Sequence, residues 1–403
     1  MYKELFQKGL NIEDPWYIKD IDFDPELKRL DITIDFKKGS NFPCPKCGVP
    51  NCSIHDTIEK VWRHLNFFEY KTFLHCRVPR VKCGDCGVSQ IEVPWARKQS
   101  GFTLLMDAMI LMLAQSMPVL KVAMMLDEHD TRIWRVIIYY VKKSRAEENF
   151  SKVSKIGVDE TSLKKGHKYV TIVADVENSK VIYVCEGKDS STLTRFNEDL
   201  TNHGGKPTMI QYVSCDMSPA FINGISSEFP DAKITFDKFH VMKMMNEAVD
   251  EVRKQEQSTI KELKNSKYLW LKNEGNLSEK QKERFLDLKN QNLKTVRAYN
   301  VKLSLQEFWD SKNRKEAAQY LKKWYFWATH SRLTPITEAA NTVKKHWDGI
   351  LNYFDSKINN GILEGINSIV QLQKRNARGF KNVQYFINMI YLKLGKLKFE
   401  LPI

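Results

Sequence analysis

No run in this 403-residue sequence approaches the roughly 18 consecutive apolar residues of a membrane span. Its opening, MYKELFQKGLNIEDPW, is too charged for the apolar segment of a signal peptide. These absences set aside membrane and secreted classes, so a soluble, cytoplasmic protein is expected. There is no solenoid repeat and no low-complexity tract. At roughly 150 residues per domain the chain holds about two or three domains, large enough to need no disulfide stapling. In a reducing compartment its 8 cysteines are expected to serve metal or chemistry before disulfides. Acidic charge is the scarcer sign, 49 Asp+Glu against 63 Lys+Arg, for a formal charge of +14 and a pI near 9.2. A polyanion is therefore the first partner to consider, although a merely soluble basic protein has the same balance.

Periodicity divides what is present. Residues 1–43 read as a leader with short alternating stretches, among them Leu30-Asp31-Ile32-Thr33-Ile34-Asp35-Phe36. Residues 44–98 form a small β-rich, cysteine-bearing module. From 99 to 150 the spacing becomes helical, with breaks at Ser116-Met117-Pro118 and Glu128-His129-Asp130, the outline of a helix-turn-helix. After the polar link SRAEENFSKVSK, residues 151–239 read as β, β, β, helix, β, helix, β, beginning with KIGVDET. Residues 240–358 are rich in Lys and Glu, poor in Gly and Pro, and read as an all-α insertion. A break at Asn359-Asn360-Gly361 leads into a final helix and basic tail, 359–403.

Cys44-Pro-Lys-Cys47-Gly and Cys83-Gly-Asp-Cys86-Gly are two C-x2-C knuckles. Two intervening residues let both thiolates of a knuckle address one ion, and the following Gly permits the positive φ that such a turn needs. Four sulfurs at about 2.3 Å complete tetrahedral coordination, which defines one closed, structural Zn²⁺ site. Cys52, Cys76, His64 and His75 lack paired spacing and read as core or surface residues, and Cys185 and Cys215 as packed thiols. In the helix-turn-helix, Arg132, Arg135, Lys142 and Lys143 are candidates to lie along a DNA groove. The same helix also carries the core pattern Ile133, Val136, Ile137 and Val141, which any three-helix packing element shares.

Three acids stand where acids are costly or useful. Asp159 lies inside the apolar strand KIGVDET, Asp216 ends the strand PTMIQYVSC, and Glu364 begins the helix in NGILEGIN. If the three meet, they form an oxygen-only site of the kind that holds two Mg²⁺ (or Mn²⁺) ions about 3.5–4 Å apart for in-line phosphoryl displacement. Singly, each has a plain alternative: a turn cap, a helix N-cap, or a favourable charge at a helix start. Glu160 is expected on the opposite strand face. Asp237, in Asp237-Lys-Phe-His240, rivals Asp216.

From Cys44 to its end, the chain resembles the ISL3 family of bacterial insertion-sequence transposases. The resemblance rests on the order CPxCG, CxxCG, helix-turn-helix, GVDET, SCDMSPAF, FDKFHVMK and LEGINSIVQLQKRNARGF. It implies an α/β, ribonuclease-H-like catalytic core interrupted by an all-α insertion and preceded by a zinc-ribbon-like module and a helix-turn-helix. It maps an Asp, Asp, Glu triad onto Asp159, Asp216 and Glu364, with Asp237 and His240 in support. It implies metal-dependent cleavage and strand transfer on double-stranded DNA, both transposon terminal inverted repeats and target, by a bacterial, nucleoid-associated enzyme. Trp324 and Trp327 are candidates to stack on an unpaired base, with buried helix packing as the alternative. Lys374, Arg375, Arg378 and Lys381 are candidates for phosphate contacts, against a solvated basic face. Two DNA ends and one site per chain imply a homodimer or larger working complex. A zinc-containing DNA-binding regulator with a degenerate core, and a nuclease or resolvase that only hydrolyses, are the competing readings.

Overall fold

In the computed structural model, which describes residues 2–163, 168–236, 238–358 and 361–401, alternation shapes the first sheet. Helix α1 (Tyr2–Gly9) precedes strands β1 (Trp16–Asp24), β2 (Arg29–Phe36), β3 (Ser53–Arg63), β4 (Lys71–Cys83) and β5 (Gly87–Gln90). Leu30, Ile32 and Ile34 of β2 are buried, as their spacing predicts, and share a core with Trp62, Leu74, Cys76, Val78, Val81 and Trp95. The sheet runs β1-β2-β4-β3, with β5 on β4. Residues 1–43 are therefore no separate leader. Strand β2 pairs in parallel with β4 of the cysteine-bearing segment, because its apolar face needs that segment's core to cover it.

Three helices follow: α2 (Leu104–Ser116), α3 (Val119–Leu126) and α4 (Asp130–Ala146). The Thr103 hydroxyl caps α2, Pro118 precedes α3, and Asp127 closes α3 in the left-handed region at φ 49°. The core stripe Ile133, Val136, Ile137 and Val141 is buried. The chain divides into two compact units after Tyr140, inside α4 and ahead of the polar stretch expected to link them. Arg145, in the last turn of α4, makes its contacts within the second unit. Its guanidinium grips both oxygens of Asp199 at 2.9 and 2.7 Å and bonds Glu148 at 3.1 Å, so that turn belongs to the second unit.

The second unit follows the predicted element order: β6 (Lys155–Ser162), β7 (Tyr169–Asp175), β8 (Lys180–Glu186), α5 (Ser191–Asn202), β9 (Tyr212–Cys215), α6 (Pro219–Glu228) and β10 (Lys233–Phe236). The sheet order is β10-β9-β6-β7-β8. Strands β6, β7 and β8 form an antiparallel meander, whereas β9 lies parallel to β6 and β10 parallel to β9. The C-terminal ends of β6, β9 and β10 thus share one rim of the sheet.

Residues after β10 are helical, as their composition predicts: α7 (Lys238–Gln257), α8 (Lys267–Leu271), α9 (Glu279–Lys289), α10 (Lys294–Phe308), α11 (Arg314–Thr329), α12 (Thr334–Lys345), α13 (Trp347–Leu351) and α14 (Tyr353–Ser356). Trp270, Phe285 and Tyr299 meet edge-to-face at their centre. Buried Glu256 satisfies the start of α10, accepting bonds from the Lys294 and Thr295 amides at 2.7 and 2.8 Å. Two final helices, α15 (Gly361–Asn376) and α16 (Val383–Leu394), return to the sheet.

Both sheet edges are covered, which removes open strand templates. At β10, the Asn352 side chain donates to the Ile234 carbonyl at 2.8 Å. At β8, the Tyr391 hydroxyl accepts from the Val184 amide at 2.8 Å. Helix α15 crosses β6 at Gly157, where an added Cβ would stand 2.7 Å from the Leu363 methyls. Gly157→Ala is therefore expected to lift α15 and cost about 1–3 kcal/mol. Denaturant unfolding checks the loss, and Leu363→Ala in the same chain should return part of it.

Candidate active site and cysteine cluster

The β6 to β9 register pairs Lys155 with Tyr212, Ile156 with Val213 and Gly157 with Ser214. Continued for two residues, it sets Asp159 against Asp216 on the same face and at the same rim. Asp159 is half-buried, and its two oxygens are engaged separately. One accepts the Glu160 amide at 2.7 Å, and the other accepts the Asn367 side-chain amide from α15. Burial pushes the Asp159 carboxyl above its ordinary range, and the Asp216 charge pushes it further. The Glu160 amide, the His240 charge and Asn367 pull it back.

Glu160, expected on the far face, still feels this charge. Burial raises its carboxyl, Lys188 and His240 oppose the rise, and Asp216 and Asp159 add to it. Asp216 accepts the Ser218 amide at 2.9 Å, which shapes the entry to α6. His240 lies in the first turn of α7 and is an electrostatic neighbour of both Asp159 and Glu160. Asp237 lies outside the described residues, as do residues 359 and 360 of the predicted break.

Glu364 is exposed in the first turn of α15. That helix is fastened along β6 in matched steps. Leu363 packs at Gly157, Asn367 bonds Asp159, the Gln371 amide donates to the Thr161 hydroxyl at 2.7 Å, and the Lys374 ammonium donates to the Ser162 carbonyl at 2.6 Å. Glu364 stands between the first two of these anchors, one turn before Asn367 on the same stripe. Among the described residues its carboxylate does not close with Asp159 and Asp216 to within 4.8 Å. Three such acids repel unless a cation offsets them. Their oxygen-only chemistry, two crowded carboxylates and a buried Asn367 Oδ1 with no partner among the described residues fit a divalent cation.

The four knuckle cysteines do converge, with sulfurs all within 4.8 Å of one another and Cys47 3.6 Å from Cys83. Sulfurs at about 2.3 Å from a tetrahedral centre stand about 3.8 Å apart, so the set fits Zn²⁺. Gly48 and Gly87, each following the second cysteine of its pair, take φ of 74° and 73°. Backbone amides pull the Cys44 thiol down to about 6, whereas hydrogen bonding to Cys47 pushes Cys86 up to about 12. The neighbouring candidates are committed elsewhere. His64 bonds the Thr103 hydroxyl at 2.8 Å and burial lowers it to about 4, His75 pairs with Asp31, and Cys76 is buried.

The basic and aromatic candidates separate. Trp324 is a correction: it is 1% exposed and its indole donates to the Val301 carbonyl at 3.0 Å, so it is core and not a base-stacking surface. Trp327 is 44% exposed, beside Phe326, which stacks on His330. Lys374 holds Ser162 and is not a spare cation. Arg132 pairs with Glu128, bonds the Gly101 carbonyl at 3.1 Å and lies over the Phe102 ring, so it braces its own unit. Arg135, Lys142, Lys143, Arg375, Arg378 and Lys381 are exposed. Sequence reasoning missed Asn367 and Gln371. Their only signal was amides three and seven residues after Glu364, on one helical stripe.

The profile of the DDE transposase domain of family ISL3 matches residues 156–390, more than half of the chain. Profiles of the helix-turn-helix domain of that family and of a zinc finger of transposases match residues 91–141 and 40–86. The sheet with its acidic rim thus belongs to a DDE transposase, a class of enzyme that cleaves and transfers DNA strands. The chain belongs to the ISL3 transposase family. It is similar to the transposase for insertion sequence element IS1001 of Bordetella parapertussis, 29% identical over 85% of this chain and 86% of the relative. It is also similar to that for element IS1557 of Mycobacterium tuberculosis, 26% identical over 99% and 97%. Among the described residues no helix is long and apolar enough to cross a membrane.

Proposed function

We propose that the second unit is a ribonuclease-H-like core in which Asp159, Asp216 and Glu364 hold two Mg²⁺ or Mn²⁺ ions, with Asp237 and His240 in support. The observation that carries this reading is the parallel β6–β9 register, which carried on for two residues brings Asp159 level with Asp216 at one rim, with the Glu364 helix anchored to Asp159. The sheet order, an antiparallel meander extended by two parallel strands, supports the same fold. Bound cations would sharpen the attacking oxygen and neutralise charge on the phosphate. The protein's part is positioning: Asp159 and Asp216 fix the rim, and the polar seam under α15 holds Glu364 beside it. A water oxygen attacks phosphorus as the P–O3′ bond breaks, freeing the 3′ hydroxyl. That hydroxyl then attacks a target phosphate, and a second P–O3′ bond breaks.

Cys44, Cys47, Cys83 and Cys86 hold one structural Zn²⁺ in this reading. The zinc finger and the helix-turn-helix bind the terminal inverted repeats of the element. Arg135, Lys142 and Lys143 supply phosphate contacts there, and Arg375, Arg378, Lys381 and Trp327 serve DNA near the cut. The enzyme acts in the bacterial cytoplasm, nucleoid-associated, as a dimer or larger complex on paired ends. The test uses linear duplexes carrying the repeats that flank its gene, a supercoiled target plasmid, and Mg²⁺ or Mn²⁺. Strand-transfer products are expected. Hydrolysis alone would mark a nuclease, and binding without either product a regulator.

A further inference from the structure

We propose that Asn367 is a positioning residue of the catalytic site, holding Asp159 through its amide nitrogen and offering its amide oxygen to the cation or to a water on it. The inference rests on the reading that Asp159 holds a divalent cation. Its starting point is that Asn367 Nδ2 donates to Asp159 while Oδ1 is buried with no hydrogen-bond partner among the described residues. The orientation follows from chemistry, since a carboxylate accepts and the amide oxygen cannot donate. A buried amide oxygen with nothing opposite it is disfavoured. The Gln371 and Lys374 bonds already fasten α15 to β6, so glue alone does not account for an amide placed here with its oxygen buried and unused.

The surroundings say what the oxygen awaits. Asp159, Glu160 and Asp216 form one electrostatic cluster, so the missing group is positive or a donor bound to something positive. A neutral oxygen beside carboxylates is a ligand type that hard divalent cations accept, directly or through a retained water. The seam also makes the placement rigid. Leu363 at Gly157, Gln371 at Thr161 and Lys374 at Ser162 fix how far α15 can slide, so Asn367 stays level with Asp159. Glu364, three residues earlier on that stripe, inherits the same register. Asn367 therefore links the first and last acids of the site, orienting one and pacing the other.

The experiment measures Mn²⁺ binding to the full chain by electron paramagnetic resonance, and strand cleavage across a Mn²⁺ titration, for wild type, Asn367→Ala, Asn367→Asp and Asp159→Asn. Asn367→Ala should weaken Mn²⁺ binding about 10–100-fold. Its cleavage defect should shrink as Mn²⁺ rises, with thermal stability and end binding unchanged. Asn367→Asp restores an oxygen but not the donor to Asp159, so it should bind Mn²⁺ at least as well as Asn367→Ala while cleaving poorly at saturation. Unchanged Mn²⁺ affinity in a folded Asn367→Ala chain would overturn the proposal, as would a cleavage loss matched by lost stability and insensitive to Mn²⁺. If Asp159→Asn keeps both Mn²⁺ binding and cleavage, the underlying site reading fails instead. If Asp159→Asn loses both and Asn367→Ala neither, only the role of Asn367 falls.

Discussion

Asp159→Asn will leave the enzyme able to bind DNA ends and unable to cut them. Cleavage should fall on the order of a thousandfold or more, because removing one electrostatic contact to a transition state already costs about 10²–10³. The substitution keeps the shape of the side chain but removes the charge that a cation needs. Stability should change little, because an Asn oxygen can accept from only one of the two donors that Asp159 serves, the Glu160 and Asn367 amides, which offsets the gain from neutrality. Burial and Asp216 both oppose ionisation of Asp159 in the fold, and the neutral variant escapes that penalty. Lost cleavage with a nearly unchanged Tm and intact end binding in a gel-shift assay is therefore the expected signature, and it separates a chemical role from a structural one. Asp216→Asn should behave alike, since an Asn oxygen still accepts the Ser218 amide. Glu364→Gln should cost still less stability, because Glu364 is exposed. If Asp216→Asn cuts and Asp237→Asn does not, the second acid has been misassigned.

How far sequence alone reaches follows from which interactions are local. The alternation of Leu30, Ile32 and Ile34 announces a strand, but nothing in it says that the partner is β4, more than thirty residues away, so residues 1–43 read as a leader. GVDET and SCD reveal two costly acids. Their pairing needs the parallel register of β6 and β9, which the β, helix, β order only implies. The placement of Trp324 was legible. Ala317, Leu321, Trp324 and Ala328 recur at four, seven and eleven residues, a buried helical stripe from which Trp327 is displaced. Asn367 was not. An amide on a helix surface has no distinguishing pattern until the helix is seen fastened to the strand that carries Asp159. Arg132 reads as a DNA-groove candidate and Lys374 as a phosphate contact for the same reason: composition counts cations, and only geometry shows that these two already have partners in the protein.

Cys83→Ser, or stripping of zinc by a chelator, should abolish recognition of DNA ends by a different route. The four sulfurs crowd within 4.8 Å, and one thiol is pulled toward ionisation while another is driven away from it. Four like charges at that spacing are stable only around a cation, so metal binding and local order are one event. Cys83 closes β4 and pairs with Gly87 at the start of β5, so its loss unfastens that hairpin together with the knuckle at Cys44 to Cys47. The rest of the sheet has its own core in Leu30, Ile32, Leu74 and Val78 and should keep most of its strand content. The variant is therefore expected to lose one zinc per chain by metal analysis, to gain hydrogen exchange at residues 44–52 and 80–90, and to lose end binding. Cleavage of a pre-nicked or non-specific substrate, where measurable, should be affected less. Cys52→Ser is the discriminating control. Cys52 lies close to the cluster, but its thiol is pushed up by burial and it is outside the group of four. It should retain full zinc and full binding. Unchanged end binding by the zinc-free Cys83→Ser chain would remove the cysteine cluster from DNA recognition and leave that task to the helix-turn-helix alone.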